Sequence, residues 1–205
     1  MKKIMLIGMG GHSKVVKDII DFSEEFKVIG YLDEKFNKKE ISEGIIYDSI
    51  KSFKNYKDYY FNISIGNNNV RQKIFREFNL PEWKYPSFIH PSVIIGSNVD
   101  IGFGTVIMAN VVINADTKIG NYCIVNTTAS VGHDVVLNDF VHVSPNSTLT
   151  GGVTVGAKSQ IGASATVIPQ INIGKNTIVG AGSTVVNDIG DNQIVVGTPA
   201  KPIRR

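Results

Sequence analysis

The sequence is poor in the residue types that mark several classes of protein. It has one cysteine in 205 residues, Cys123, so an internal disulfide and a cysteine-rich metal site are both excluded. No apolar run approaches the roughly 18 residues of a membrane-spanning helix, and the run Ile4–Ile7 is too short for a signal peptide. The net charge is only +3, without a Lys/Arg run interleaved with aromatic residues, so nucleic acid is not an expected partner. We therefore expect a cytoplasmic protein without a membrane span.

The first part of the chain alternates apolar runs with charged, helix-like segments. Strand-like runs lie at KKIMLIG, FKVIGYLDE and YYFNISIG, and a helix is predicted after the first and after the third. The second helix is predicted through Val70–Phe78. One face of the first helix is predicted to hold Val15, Val16, Ile19 and Ile20. The pattern predicts a small Rossmann-like α/β domain with a parallel sheet over residues 1–85.

A period of six governs the rest of the chain, predicted as a second domain over residues 86–205. From Ile95, every sixth residue is aliphatic through sixteen positions, which are Ile95, Ile101, Ile107, Ile113, Ile119, Val125, Val131, Leu137, Val143, Leu149, Val155, Ile161, Val167, Ile173, Val179 and Val185. The residue four positions after each is small or β-branched, and the residue directly after is glycine in eight cases. This pattern predicts a parallel β-helix of hexapeptide repeats, because an ordinary β-sandwich would not hold one period so long.

The period assigns each residue a place in the coil. Each hexapeptide is predicted to form one side of a triangular prism, so that eighteen residues make one coil and stacked coils pair their backbones. The aliphatic residue points into the prism, the small residue fills an inner corner, and glycine is expected to tolerate the turn. Cys123 falls on an inner corner and is predicted to be a packing residue.

Two histidines, His133 and His142, fall outside the inward-pointing positions. A neutral imidazole can accept a proton near pH 7, and Asp134 can orient His133 if the chain bends between them. Nine residues are half of a coil, so the two histidines face different sides of one prism. They could serve one site only between two prisms, which favours a homotrimer with active sites between subunits. Idle surface histidines remain the alternative.

The segment IGMGGHS, Ile7–Ser13, lies between a strand and a helix, where a phosphate can bind the free N–H groups of the helix. Ser13 replaces the third glycine of the dinucleotide fingerprint, so a mononucleotide diphosphate fits better than NAD. Asp33 ends the next strand, and IGNNNVRQ ends the third on the same edge of the sheet. Residues of that segment that could line the crevice are Gly66, Asn67, Asn68 and Arg71. A tight βα turn without a ligand is the alternative.

Seven motifs, in order, resemble a family of bacterial sugar acetyltransferases with a nucleotide-sugar domain and a left-handed β-helix. The family includes bacillosamine-type UDP-4-amino-sugar N-acetyltransferases, GDP-perosamine N-acetyltransferases and sialic acid O-acetyltransferase-like proteins. The motifs are GMGGHSKVV, YLDE, IGNNNVRQKI, VVINADTKIG, IVNTTASVGHD, FVHVSPNSTLTGGVTVG and VVGTPAKPI. The resemblance implies that acetyl-CoA is the co-substrate and that no metal is required.

The resemblance also implies roles for particular residues. His133 matches the catalytic base and Asp134 the carboxylate paired with it, although the bacillosamine enzymes have Glu there. Asn126, His142 and the backbone of Gly151 match positions around the reacting centre and the thioester. The positions that match the nucleotide-sugar pocket are Gly10, Gly11, His12, Asp33, Glu34 and Gly66, with Asn67 beside them. In the C-terminal tail, Lys201, Arg204 and Arg205 could face the phosphates of coenzyme A or be idle.

These observations lead to the hypothesis of acetyl transfer from acetyl-CoA to the amine of a nucleotide-linked 4-amino-4,6-dideoxy sugar, with UDP favoured over GDP. Such a reaction belongs to the biosynthesis of bacterial surface glycans. A sugar O-acetyltransferase of the sialic acid type is the nearest alternative, and a nucleotide-binding scaffold without catalysis is another. A zinc lyase like the γ-type carbonic anhydrases would need three converging histidines, and His90 lies more than forty residues before His133.

Overall fold

The computed structural model describes residues 1–203, and the chain divides into two compact units, Met1–Phe88 and Ile89–Arg205. The first unit contains β1 (Lys2–Ile7), α1 (Gly11–Asp21), β2 (Phe26–Asp33), β3 (Glu40–Ser42), β4 (Ile45–Ser49), a 3₁₀ helix (Ile50–Tyr56), β5 (Tyr60–Ile63), α2 (Asn68–Phe78) and a 3₁₀ helix (Glu82–Lys84). Its sheet has the order β3-β4-β2-β1-β5. All pairs in it are parallel except β3 with β4.

The sheet of the first unit differs from the predicted one at its edge. The hairpin of β3 and β4 was not predicted, because all three residues of β3 are exposed and the apolar alternation of a half-buried strand is missing there. α1 buries Ser13, Val16, Ile19 and Ile20. The prediction was wrong for Val15, which is 41% exposed because it lies about 100° around the helix from Val16. The second helix begins at Asn68, two residues before the predicted start.

The second unit is a stack of short strands in three sheets, whose pairs are parallel except for β23 with β24, which is antiparallel. The strands are β6 (Phe88–Ile89), β7 (Ile94–Ile95), β8 (Asp100–Ile101), β9 (Val106–Ile107), β10 (Val112–Ile113), β11 (Lys118–Ile119), β12 (Ile124–Val125), β13 (Ser130–Val131), β14 (Val136–Leu137), β15 (His142–Val143), β16 (Thr148–Leu149), β17 (Thr154–Val155), β18 (Gln160–Ile161), β19 (Thr166–Val167), β20 (Asn172–Ile173), β21 (Ile178–Val179), β22 (Thr184–Val185), β23 (Ile194–Val196) and β24 (Lys201–Pro202). Face 1 has the order β22-β19-β16-β13-β10-β7, face 2 the order β20-β17-β14-β11-β8, and face 3 the order β24-β23-β21-β18-β15-β12-β9-β6.

The register of the strands confirms the predicted coil of eighteen residues. Val131 pairs with Ile113 on one side and with Leu149 on the other, and the same offset recurs on faces 2 and 3. The periodic aliphatic residues from Ile107 onward form the core of the prism, together with small residues such as Cys123. Ile95, on the terminal strand of face 1, is 42% exposed because only one coil packs against it on that face.

Glycine follows the aliphatic residue in the repeat for a different physical reason from the one predicted. The left-handed backbone conformation occurs three positions after the aliphatic residue, where most residues are not glycine, as at Asn110 (φ 58°) and Asn146 (φ 58°). The glycine directly after the aliphatic residue faces the backbone of the next coil. A Cβ at Gly162, for example, would lie 2.5 Å from the backbone nitrogen of Ala181. These glycines therefore allow the coils to approach each other, and the turn itself does not require them.

Candidate functional site

His133 and Asp134 form a hydrogen-bonded pair on the outside of the prism. His133 Nδ1 lies 2.7 Å from Asp134 Oδ2, and the two side chains are 70% and 64% exposed. An ionised carboxylate only accepts hydrogen bonds, so the imidazole donates from Nδ1–H. In the neutral ring Nε2 is then unprotonated, which makes it the nitrogen that can accept a proton from a substrate.

The pair exists because the backbone bends between the two residues. Asp134 has φ 57° and occupies the left-handed corner position of its hexapeptide. In an extended strand, neighbouring side chains would point to opposite faces. The corner instead brings the carboxylate back to the imidazole. Asp tolerates this conformation better than most residues, so the corner accommodates Asp134 without a glycine.

The imidazole of His133 lies against Gly151, one coil further along the prism. A Cβ built on Gly151 would be 2.5 Å from His133 Nε2 and 2.6 Å from Cε1. The next residue, Gly152, donates its N–H to the carbonyl oxygen of His133 at 2.9 Å. Among the hydrogen bonds of the described residues, none uses the N–H of Gly151. A backbone donor and the unprotonated Nε2 thus lie side by side, an arrangement that can serve a developing oxyanion and an attacking nucleophile together.

His142 and Asn126 form a second polar pair on face 3. The side-chain oxygen of Asn126 accepts from the N–H of Thr127 at 2.8 Å, which fixes the orientation of the amide. Its Nδ2 lies 3.3 Å from His142 Nε2. An amide NH₂ only donates, so Nε2 of His142 is the acceptor and the proton of the neutral ring is on Nδ1.

One chain does not bring the two histidines together. His133 lies in the turn between β13 of face 1 and β14 of face 2, whereas His142 lies in β15 of face 3. In a three-sided prism, the corner between two faces is opposite the third face. The sequence prediction of different sides is consistent with this placement.

The first unit has a cavity at the carboxyl ends of its strands. Its volume is about 610 Å³, and its lining comprises Gly8, Leu32, Asp33, Glu34, Ile50, Lys51, Phe53, Lys54, Ile65, Val70, Lys73, Ile74, Glu77 and Phe78. Asp33 and Glu34 are predicted site residues, whereas the lysines and the residues of the 3₁₀ helix were not predicted. No sequence motif marked Lys51, Phe53 or Lys54, because the 3₁₀ helix Ile50–Tyr56 has neither a strand nor a helix period. Ligands of open α/β sheets bind at this edge of the sheet.

The glycine-rich turn lies beside this cavity and is held by Asp33. The carboxylate of Asp33 accepts from the N–H of Met9 at 2.7 Å and from the N–H of Lys35 at 3.0 Å. A Cβ at Gly10, Gly11 or Gly66 would meet nothing within 4 Å, and none of the three has a positive φ. Neither packing nor backbone conformation within the chain requires glycine at these positions.

His12 and Arg71 are both largely buried, and neither is an exposed cation beside the glycine-rich turn. The Nε2 atom of His12 is buried and has no hydrogen-bond partner among residues 1–203. Burial, and secondly the charge of Arg71, lower the pKa of His12 from 6.5 to about 4, so the ring is neutral at pH 7. Arg71 is 1% exposed and donates to the carbonyl oxygens of Ile65 and Gly66. The prediction that Arg71 lines the crevice is therefore wrong, because its guanidinium is used to hold the loop.

The other predicted residues are placed as follows. Asn67 is the N-cap of α2, and its side chain accepts from the N–H of Val70. Lys201 lies exposed in β24, and Arg204 and Arg205 lie outside the described residues. Among residues 1–203, no three His, Cys, Asp or Glu side chains are grouped as metal ligands. No helix in the same range combines the length and apolar character needed to cross a membrane.

Comparison with known proteins gives matches over both units. Residues 3–78 match the family model described as the PglD N-terminal domain. A stretch of 113 residues is 39% identical to UDP-N-acetylbacillosamine N-acetyltransferase from Bacillus subtilis (strain 168), and this alignment covers 53% of the chain and 52% of that curated relative. The chain thus spans about half the length of the curated relative in this alignment.

Two solved structures match over nearly the whole chain. A variant of perosamine N-acetyltransferase from Caulobacter crescentus, in complex with CoA and GDP-perosamine, is 34% identical with a TM-score of 0.88 and covers 100% of this chain and 98% of its own. The acetyltransferase domain of PglB from Neisseria gonorrhoeae FA1090, in complex with acetyl coenzyme A, is 31% identical with a TM-score of 0.88 and covers 98% and 99%.

The fold and the outer His-Asp pair define the class of hexapeptide-repeat acyltransferases, with an α/β domain followed by a left-handed parallel β-helix. The predicted fold class is confirmed. Within that class, the chain belongs to the family of nucleotide-amino-sugar N-acetyltransferases that includes the bacillosamine and perosamine enzymes.

Proposed function

We propose that this protein transfers the acetyl group of acetyl-CoA to the 4-amino group of a nucleotide-linked 4-amino-4,6-dideoxy sugar. The observation that carries this proposal is the His133–Asp134 pair with Nε2 beside the free N–H of Gly151. The relatives support it, since solved neighbours contain CoA, acetyl-CoA or GDP-perosamine. The reaction needs no metal, because a thioester is already an activated acyl donor.

The chemistry can be assigned atom by atom to the residues of the site. The sugar amine attacks the thioester carbonyl carbon while His133 Nε2 takes the proton that the amine loses. The carbonyl oxygen becomes an oxyanion and accepts from the N–H of Gly151. The carbon–sulfur bond then breaks, and the imidazolium returns its proton to the departing CoA thiolate. Asp134 holds the ring in the Nδ1–H tautomer throughout.

The cavity of the first unit is the proposed site of the nucleotide. Gly10, Gly11 and Gly66 leave open space where no feature of the chain itself requires glycine, which suits close approach of a ligand to the backbone. His12 is neutral, so it would meet a phosphate as a hydrogen-bond donor and would not add charge. We infer UDP as the carrier, on the basis of the 39% identity to a UDP-sugar enzyme.

We further propose a homotrimer whose active sites lie between subunits. His133 lies at the corner opposite the face that carries His142, so a second prism is needed to place both at one acetyl group. A heterologous contact between two different sides of neighbouring prisms would be repeated and closed by a threefold axis. Light scattering coupled to size-exclusion chromatography tests this, with a mass of three chains expected. We expect the protein to act in the cytoplasm, in the biosynthesis of a surface glycan.

The experiment that tests the function measures thiol release from acetyl-CoA with candidate acceptors. A UDP-4-amino-4,6-dideoxy sugar is expected to give turnover, and the matching GDP sugar a lower kcat/KM. Acetylation of sialic acid hydroxyls in place of the amine would assign the protein to O-acetyl transfer. Thermal-shift measurements with UDP and GDP separate the carriers without turnover, because a ligand that binds the native state raises Tm.

A further inference from the structure

The contact between Gly151 and the imidazole of His133 is closer than any side chain would permit. A Cβ on Gly151 would lie 2.5 Å from Nε2, 2.6 Å from Cε1 and 3.1 Å from Cδ2 of the ring. Carbon and nitrogen atoms that are not bonded stay about 3.5 Å apart or more. The imidazole thus occupies the space that the side chain of any other residue at position 151 would fill.

The backbone does not explain why residue 151 is glycine. Gly151 has no positive φ, in contrast to Gly152, which has φ 72° and occupies the left-handed corner. The glycines directly after the aliphatic residues differ from Gly151 in what an added Cβ would meet. Gly132, for example, faces the backbone of the next coil, where its Cβ would lie 2.7 Å from the nitrogen of Gly151. At Gly151 the three nearest atoms to a Cβ all belong to the His133 ring.

The equivalent position in neighbouring coils of the same corner carries side chains. Eighteen residues before His133 stands Ala115, and eighteen residues after Gly151 stands Pro169. The coil geometry at this corner therefore accepts a Cβ. The requirement for glycine arises only in the coil that follows His133.

We propose that Gly151 is a positioning residue for the imidazole of His133, acting through its missing side chain. The proposal rests on the proposed function, in which His133 is the base. The ring lies on the bare backbone of Gly151, so Nε2 and the Gly151 N–H face one acyl group. The side chain of His133 is 70% exposed, and Asp134 holds it only at Nδ1. The flat contact with Gly151 supplies the second restraint, which keeps the ring from rotating about the Nδ1 hydrogen bond.

The first test is the Gly151→Ala variant of the full chain. The added methyl group keeps the N–H and displaces the ring, which is the end of a flexible, exposed side chain, so the fold is retained. We expect kcat to fall about 10- to 100-fold, because a misplacement of about 1 Å at a reacting group has that effect, while the KM for acetyl-CoA stays unchanged. A crystal structure of the variant should show the imidazole moved away from residue 151. An unmoved ring or an unchanged kcat overturns the proposal.

A double-mutant cycle separates the ring contact from any other effect of the methyl group. Once His133→Ala has removed the ring, adding Gly151→Ala should cause no further loss of rate and no change in the Tm shift produced by CoA. A further loss in either measurement means that the methyl group acts on the acyl group or on CoA, and it overturns the positioning role. Gly190→Ala is the control: Gly190 has no positive φ, and its added methyl group would meet only the end of the Gln193 side chain, with the nearest atom at 3.2 Å.

The outcomes also distinguish this proposal from the proposed function. If His133→Ala remains fully active, the function itself is wrong, whatever Gly151→Ala does. If His133→Ala is inactive and Gly151→Ala is fully active, the function stands and the positioning role fails.

Discussion

His133 Nδ1 lies 2.7 Å from Asp134 Oδ2 although the two residues are adjacent in the chain. The left-handed corner at Asp134, with φ 57°, makes this contact possible, and the prism repeats such a corner every six residues. The scaffold thus offers many corners at which neighbouring side chains can converge, and in this sequence one of them carries the His-Asp pair. The His133–Asp134 pair is therefore a product of the repeat geometry as well as of the residue types.

Asp134→Asn is the direct test of the pair. The corner accepts Asn as readily as Asp, so stability should change by no more than about 0.5 kcal/mol. We expect kcat to fall on the order of 100-fold, because the amide does not stabilise the imidazolium that forms when His133 takes the proton. Steady-state kinetics at saturating acetyl-CoA measure the effect.

Asp116→Asn is the matched control for that variant. Asp116 occupies the same corner one coil earlier, with φ 60°, but the residue before it is Ala115. The kcat of Asp116→Asn should equal that of the wild type. An equal loss in both variants would show that the charge at the corner matters for stability or folding and not for the imidazole.

A mixture of two inactive variants tests the site between subunits. If the proposed homotrimer forms, His133→Ala and His142→Ala chains that are co-expressed at equal levels should assemble into mixed trimers. If one site uses His133 of one chain and His142 of its neighbour, about a quarter of the sites regain both histidines by random association. Activity near that fraction is expected in the mixture. A site built within one chain would give no recovery.

Asn126→Ala tests the pair on face 3. Loss of the amide removes a donor to His142 Nε2, which weakens the restraint on the tautomer and orientation of the ring. We expect a rise of about tenfold in the KM for acetyl-CoA, the effect of losing about one hydrogen bond, with a smaller effect on the KM for the nucleotide sugar. Asn138→Ala is the control, since Asn138 holds the same place in its hexapeptide and donates only to the backbone carbonyl of Val155.

Stability should depend on pH through His12. Its pKa is about 4 in the folded chain and 6.5 in the unfolded chain, so the unfolded state binds the proton first as pH falls. Stability is full above pH 6.5 and declines towards pH 4, by about 3 kcal/mol for a pKa difference of about 2.5. Urea unfolding at pH 7 and pH 4.5, followed by the fluorescence of the single tryptophan, Trp83, measures the decline. His12→Gln should remove most of this difference, and a variant with an unchanged pH dependence would contradict the assignment.

Gly162→Ala tests the role of the repeat glycines in coil packing. A Cβ there would meet the backbone of the next coil at 2.5 Å, and backbone atoms at the centre of the stack have little room to move. We expect a loss of about 1–3 kcal/mol in the free energy of unfolding, as for other overpacked sites. Asn110→Ala, at an exposed left-handed corner, should cost about 1–2 kcal/mol from backbone strain alone. Equal stability of Gly162→Ala and the wild type would contradict the packing explanation.

The β-helix could be predicted from the sequence because its period is strict. The aliphatic residues that mark the period all point into one core, so the place of a residue in its hexapeptide determines its place in the coil. The placement of His133 and His142 outside that core follows from the same register. The convergence of His133 with Asp134 required the left-handed corner, and the period alone does not show which position of the hexapeptide adopts it.

The rest of the site depends on contacts between segments that are far apart in the chain. The contact of His133 with Gly151 joins two coils, and the predicted coil of eighteen residues places both at one corner without showing that the ring lies against the glycine. The cavity of the first unit includes residues of a 3₁₀ helix, such as Lys51 and Phe53, that no local pattern marks. Arg71 looked like a ligand-binding residue next to the glycine-rich strand end. Its use as a buried support for Ile65 and Gly66 depends on how α2 packs.

The role of His133 as the base is tested most directly by the rate of thiol release by His133→Ala at saturating acetyl-CoA with a UDP-4-amino-4,6-dideoxy sugar. If His133 is the general base, kcat/KM should fall by at least about 100-fold, with an unchanged Tm and an unchanged Tm shift on CoA binding. A variant that keeps the kcat/KM of the wild type would show that His133 is not the base, and the proposed mechanism would be wrong.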